Sequence, residues 1–286
     1  MVKFYFFFLL LILLAPRAIS HEVIYYPRQG PSADLHSEYP IKLLQMALKK
    51  SGRQYELLPS LESLPNMLQG RALKELEDGR GHVHIVWSVT SKEREQRVMP
   101  IRIPIDKGLL GWRLPLVMES HVDQFRNVNN LDGLKPHISG QGHDWPDTEI
   151  LRSNGLQVQT SPNFESLFFM LEAGRFHYFP RSLVEIWREA DQHTNQGMVV
   201  AHHIILHYPS AFYYFVNKKN TTLAQDLTKG LEMAIADGSF EKLFHHYHDD
   251  AIRLADLKNR TVIELKNPFL PTETPLERKE LWFHAK

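Results

Sequence analysis

Residues 81–104, GHVHIVWSVTSKEREQRVMPIRIP, decide the fold. The apolar run from Val83 to Trp87, broken only by His84, reads as a buried strand. Ser88, Val89, Thr90 and Ser91 form a polar turn, the charged run KERE that follows is helical and carries Arg94, and the residues from Pro100 open a second short strand. A polar turn and an arginine just past the carboxyl end of a buried strand is how an open α/β sheet holds an anionic ligand. The planar fork of Arg94 can take a carboxylate in two parallel hydrogen bonds, with the hydroxyls of Ser88 or Thr90 adding to them. The competing reading is a solvated helix face, in which Arg94 sits among Glu93 and Glu95.

Upstream, residues 22–26 (EVIYY) are a short β-rich run ended by Pro27, and 29–32 a loop. Residues 39–50 place Ile41, Leu44, Ala47 and Leu48 at helical spacing and stop at Ser51-Gly52. A strand at 55–58 and a helix at 64–76, closed by Asp78-Gly79, complete an alternation that predicts a mostly parallel sheet covered by helices. Downstream the alternation resumes, with strands at 114–118, 137–139, 156–160 and 176–179 and helices at 163–172 and 182–190. Residues 130–133 read as a turn. The stretch Gly140-Gln141-Gly142-His143 reads as a glycine-punctuated loop feeding a helix that Asp144 caps and Pro146 and Asp147 begin. Free backbone N–H groups at Gly142 and His143 would face an anion there, unless this is an ordinary helix start. A strand at 212–216, an amphipathic helix at 223–236 and another helix from Ser239 follow. Residues 256–286, with Pro268, Pro271 and Pro275, read as an extended surface tail.

Composition narrows the function classes. The positive start Met1-Val2-Lys3, the apolar run to Ala15 and the small residues Ala18-Ile19-Ser20 predict a cleaved signal peptide over residues 1–20. The chain has no cysteine, which rules out disulfides, thiolate metal sites and a cysteine nucleophile. Lys+Arg and Asp+Glu are both 33, and no basic stripe is present, so nucleic acid is not an expected partner. The 16 histidines include His245 and His248, which could bind a metal from one helical turn or simply suit a helix C-terminus. His82 and His84 share one face of their strand, a packing arrangement. Trp87, Tyr26, Trp112, Trp145 and Tyr208 fall near strand ends or turns, where aromatics wall a cleft or pack inside a lobe. Neither G-x-S-x-G nor H-E-x-x-H occurs.

In their order these stretches resemble a periplasmic solute-binding protein of the amino-acid type (family 3), the substrate-binding part of an ABC importer. The resemblance rests on the opening strand and helix with Ser51-Gly52, the strand–T-x-x-x-R block ending at Arg94, the stretch 130–142, and the closing D-G-x-x-x-x-L run from Asp237 to Leu243. It implies an α/β chain with the two-lobe type II periplasmic-binding-protein fold, mixed and mostly parallel sheets joined by two hinge strands. Lobe 1 would hold residues 21–108 and 209–286, and lobe 2 residues 109–208. It further implies a monomer in the periplasm that captures a small molecule without chemistry or cofactor and hands it to a membrane permease or a sensor. Arg94 takes the family's carboxylate position, Thr90 and Ser88 lie near its hydroxyl positions, and Gly142 and His143 at the second-lobe helix start. Trp87 and Tyr26 would wall the cleft. The family's acid for the ligand ammonium is missing from 174–182 (GRFHYFPRS), where Arg181 stands instead. Arg94 and Arg181 on opposite lobes would suit a ligand with two anionic groups, unless Arg181 pairs with Glu185 one turn on. Two further readings stay open: a dehydratase-like enzyme using His143, Asp144 and Glu165, and a metal- or pH-responsive module built on the histidines.

Overall fold

A computed structural model describes residues 22–28, 37–61 and 67–285. The expected signal peptide, the loop at 29–32 and the first residues of the helix expected from 64 lie outside them. In chain order the first part runs β1 (Glu22–Tyr26), α1 (Glu38–Ser51), β2 (Tyr55–Pro59), α2 (Gln69–Asp78), β3 (Ile85–Val89), α3 (Lys92–Arg97) and β4 (Met99–Ile101). Then follow β5 (Trp112–Met118), α4 (Leu131–Leu134), β6 (Ser139–Gly142), α5 (Pro146–Ser153), β7 (Val158–Ser161), α6 (Phe164–Glu172), β8 (Phe179–Ser182), α7 (Ile186–Gln192), β9 (Met198–Val200) and β10 (Ile204–His207). The chain closes with β11 (Phe212–Val216), α8 (Thr221–Ala236), α9 (Ser239–Ala255) and β12 (Thr261–Glu264).

In the first lobe β1 and β2 pair in parallel, and β11 lies between β3 and β4, antiparallel to both. His84 links β1 to β3: its N–H donates to the Tyr25 carbonyl at 2.7 Å, and its Nδ1 accepts from Tyr25 N at 3.0 Å. That engages the Nδ1 of the ring and accounts for a histidine in an apolar run. In the second lobe the order is β12-β10-β5-β8, with β9 also on β5, and β6 pairs with β7. The sheets are mixed as expected. Antiparallel pairings are the more numerous, because β5 and β11, each hydrogen-bonded to several strands, run against all their partners. The chain passes between the lobes through 102–111 and again through 208–211. The two passages lie side by side, with Tyr208 N donating to Gly111 O at 3.2 Å and Ile105 N to Phe212 O at 2.9 Å.

Several local readings change. Residues 139–142 are a strand rather than a loop, and the glycines are there for clearance. A Cβ on Gly140 would stand 2.2 Å from the Phe176 ring, and one on Gly142 2.5 Å from the Trp145 ring. Asp144 does not cap α5, whose N-cap position is Trp145, without a side-chain bond. The turn at 130–133 is helical, with Asn130 accepting from Gly133 N. The tail is not merely laid on the surface. Its strand β12 pairs in parallel with β10 in the second lobe, and Ile263, Leu265 and Leu281 are buried. The apolar alternation was masked by the prolines that follow it.

Candidate functional site

A cavity of about 800 Å³ opens between the lobes. Its apolar walls come from where the sheets end. Trp87 lies near the end of β3 and Phe212 begins β11, while Tyr39 comes from α1 and Met67 and Leu68 precede α2. Trp145 and Phe164 face them from the starts of α5 and α6. Tyr26 is not on the wall; its ring packs behind Trp87 with centroids 5.7 Å apart.

Arg94 is where the sequence puts it, past the end of β3 on α3, and it is buried. It does not line the cavity, because its terminal donors are already used within the protein. Nη1 donates to the Ser88 hydroxyl and to the Val89 carbonyl at 2.7 Å. Nη2 donates to Gln69 Oε1 at 2.7 Å and, from across the cleft, to the Asp144 carbonyl at 3.1 Å. Burial lowers the Arg94 pKa to about 10, which leaves it charged at neutral pH. Thr90 is turned away as well, donating to Glu95 Oε1 at 2.7 Å. Ser88 and Thr90 are therefore supports of the turn and not wall residues. Gly142 sits under Trp145, and His143 points outward with its side chain 54% exposed, its N–H spent on the Ser161 carbonyl at 3.1 Å. Neither reaches the cavity. Of His143, Asp144 and Glu165, only Glu165 lines it.

Arg181 does line the cavity, and it is clamped. Nε and Nη2 each donate to the Glu189 carboxylate at 2.7 Å, and Glu185 Oε2 is 3.1 Å from Nη2. Trp145, Phe164 and Phe179 surround the guanidinium at 5.0, 5.3 and 5.0 Å, within cation–π range. The pairing with Glu185 that the sequence left open is made, and Glu189 adds a stronger bidentate one. Next to it, Arg113 from β5 donates through Nε to Tyr208 Oη at 3.0 Å and through Nη2 to Asp147 Oδ1. Tyr208 Oη in turn donates to Asp147. Burial drives the Tyr208 pKa far up, so its proton stays on.

Sequence reasoning passed over several wall residues. Arg113 carried a signal: a cation inside the apolar strand WRLPLVM must find buried partners. Asp106 carried less; it is fully buried in the first passage between the lobes, where its carboxylate accepts from Gly108 N at 3.1 Å and Leu110 N at 2.7 Å. Desolvation raises it to about 7 against the pull of those bonds. His248 was read with His245, but Phe240, Phe244 and His248 recur every fourth residue on the buried face of α9. His248 lines the cavity, packs edge-on to Tyr39 at 4.4 Å, and is held by burial at about 4. His245 is on the outside, between Glu241 at 3.1 Å and Asp249 at 2.6 Å. The two histidines do not share a ligand sphere. Among the described residues no group of three or more His, Asp or Glu is placed to hold a metal, and no helix is long and apolar enough to cross a membrane.

No family model matches the chain, and no curated protein does. Solved structures do. An ancestral arginine-binding protein bound to arginine matches with a TM-score of 0.59 at 18% identity, covering 80% of this chain and 99% of that one. The arginine-, lysine-, histidine-binding protein ArtJ from Geobacillus stearothermophilus matches at 0.57 and 15%, covering 80% and 96%. A histidine kinase sensor domain with similarity to periplasmic binding proteins matches at 0.56 and 15%, covering 80% and 96%. Together with the two mixed-sheet lobes, the double passage and the cavity between them, these likenesses establish that the chain has the two-lobe periplasmic-binding-protein fold.

Proposed function

We propose that this chain captures a small amino-acid-like solute in the interlobe cavity and hands it on unchanged. On this reading it is exported to the periplasm through residues 1–20 and acts as a monomer that serves a membrane permease or a sensor. The observation that carries the proposal is the cavity itself: about 800 Å³, aromatic on both sides, with acidic and basic side chains among its walls. Apolar surface for affinity with polar groups for orientation is the composition of a small-molecule site. The fold shared with amino-acid-binding proteins and a sensor domain supports it.

A ligand with two anionic groups, clamped by Arg94 and Arg181, fits this site poorly. Arg94 is off the wall, and the wall carries Glu38, Asp147, Glu165 and Glu185 against Arg113, Arg181 and Arg188. A solute with a cationic as well as an anionic group, or with one cation, matches that balance better. A thermal-shift screen of the purified protein tests the function, with amino acids, dicarboxylates, amines and short peptides as probes. A bound solute at 100-fold its dissociation constant adds about 2.7 kcal/mol. A hit that is recovered chemically unchanged supports the proposal. Conversion of the hit moves the assignment to an enzyme, and silence across the panel refutes the amino-acid-like solute.

A further inference from the structure

We propose that Arg113, Arg181 and Glu185 form the headgroup handle of this cavity, receiving a carboxylate on the Nη1 edges of the two arginines and an ammonium on the free oxygen of Glu185. This deepens the solute-binding reading above and rests on it. It moves carboxylate recognition from Arg94 in the first lobe to a preformed pair in the second.

The argument is an accounting of donors. Arg181 has Nε and Nη2 on Glu189 and aromatic rings around the guanidinium, so the edge left is Nη1, which makes no hydrogen bond to any of the described residues. Arg113 has Nε on Tyr208 and Nη2 on Asp147. Among the described residues its Nη1 makes no hydrogen bond either; it is ion-paired with Glu185 Oε2 at 3.5 Å. Both side chains are at least nine-tenths buried, at 4% and 3% exposure. Both residues line the cavity, so these are the edges we assign to a ligand there. Two guanidinium edges held by carboxylates behind them are preorganised donors, and little freedom is lost when they bind an anion. Arg94, by contrast, would have to break bonds to Gln69 and Asp144 first.

Charge supplies the second half. Arg113 and Arg181 contribute two positive charges, and Asp147, Glu185 and Glu189 three negative ones, so the cluster is one negative charge in excess. A lone carboxylate would add to that excess in a buried place, whereas a zwitterion leaves it unchanged. Glu185 Oε2 takes Ser182 N at 3.2 Å and faces both arginines, while among the described residues Oε1 makes no hydrogen bond. An ammonium on Oε1 does what the family's missing acid would have done, from a residue three positions beyond the stretch where that acid was sought.

Binding of the common amino acids is measured by tryptophan fluorescence, since Trp87 and Trp145 line the cavity. Each binder is compared with its carboxamide and its N-acetyl form on the unaltered protein, which requires no variant to fold. Each modified form is expected to bind about 10- to 150-fold more weakly, the loss of one charge-assisted contact. Arg181→Lys should erase the preference for acid over carboxamide, Glu185→Gln the preference for free amine over N-acetyl, and Arg94→Lys neither. Equal binding of acid and carboxamide overturns the handle, as does a preference lost in Arg94→Lys and kept in Arg181→Lys. If α-amino acids do not bind, 3-aminopropanoate and 4-aminobutanoate are the next probes. Binding that Arg181→Lys abolishes keeps the handle with a longer spacing between its charges. A co-purified solute without carboxylate, identified by mass spectrometry, overturns the handle while leaving solute capture intact, and no binding of any kind removes both.

Discussion

Arg94 Nη2 donates to the Asp144 carbonyl at 3.1 Å, and the bond joins α3 of the first lobe to the turn after β6 in the second. Asp144 makes a second crossing: its carboxylate accepts from Gly70 N at 3.0 Å, at the second residue of α2. The Asp144 side chain thus caps a helix of the opposite lobe, where the first N–H groups lack partners and the helix dipole favours an anion. Asp144→Ala removes the cap and keeps the carbonyl. Loss of an N-cap costs about 1 kcal/mol, so the ratio of closed to open molecules should fall roughly fivefold. Small-angle scattering without ligand reads this as a larger radius of gyration. An unchanged radius would mean that Asp144 is not what holds the lobes together.

Gly230 tests close packing inside the first lobe. It lies on α8 against α1, and a Cβ there would stand 1.9 Å from the Ala47 carbonyl oxygen. Gly230→Ala gains about 1 kcal/mol of helix propensity, but pushing two buried helices apart costs about 1–3 kcal/mol or more. Sterics win, because the obstacle is backbone and cannot rotate away. Urea denaturation should show a net loss of stability; a gain would mean that the helices separate freely.

The sequence made the first lobe legible, since its strands are largely apolar and its first two helices end on glycine. Gly52 and Gly79 do sit at helix ends with φ of 89° and 65°, the left-handed region glycine enters without strain. Arg94 was found because its signal is local. What Arg94 bonds to was not legible, because Gln69 and Asp144 lie 25 and 50 residues away. Gly140 and Gly142 misled for a related reason: a glycine that clears a ring packed onto its strand looks the same in one dimension as a glycine that turns the chain. Arg113 and His248 had readable patterns, an isolated charge in a strand and a four-residue repeat, but a role at the cavity wall emerges only when strands and helices from distant segments converge.

Two buried wall residues give stability a pH dependence with opposing signs. Burial holds His248 at about 4, below the ~6.5 of an unfolded chain, so the unfolded chain takes up a proton first as pH falls. Its contribution is present above about 6.5 and is lost as pH falls toward about 4. Desolvation holds Asp106 at about 7, above the ~3.9 of an unfolded chain, so the folded protein keeps the proton longer as pH rises. Its contribution is present below about 3.9 and is lost as pH rises toward about 7. Between about 4 and about 6.5 the two offset one another. Asp106→Asn removes the second, and stability should then rise with pH across that window more steeply than in the unaltered protein, by up to about 1.4 kcal/mol per pH unit. Urea midpoints at the two ends of the window measure it, and parallel slopes would take Asp106 out of the titration.

The C-terminal segment should be a structural strap, because its contacts run from the second lobe, past the passage, onto the first. After β12 joins β10, Asn267 Nδ2 donates to the Pro209 carbonyl at 2.9 Å in the return passage between lobes. Phe269 O then accepts from Lys92 N at 3.1 Å beside α3, and Arg278 reaches Glu232 on α8 at 3.0 Å. Phe283 N donates to the Lys107 carbonyl at 2.7 Å, and the Trp282 ring lies over Gly108, where a Cβ would be 2.8 Å away. Gly108 has φ of 79°, so conformation and clearance both require glycine. Leu281 anchors this end and is fully buried. Leu281→Ala should cost about 2–5 kcal/mol, the range for truncating a buried leucine, and should expose residues 266–280 to proteolysis before the rest of the chain. If the urea midpoint and the cleavage pattern are both unchanged, the segment contributes nothing to the fold beyond β12.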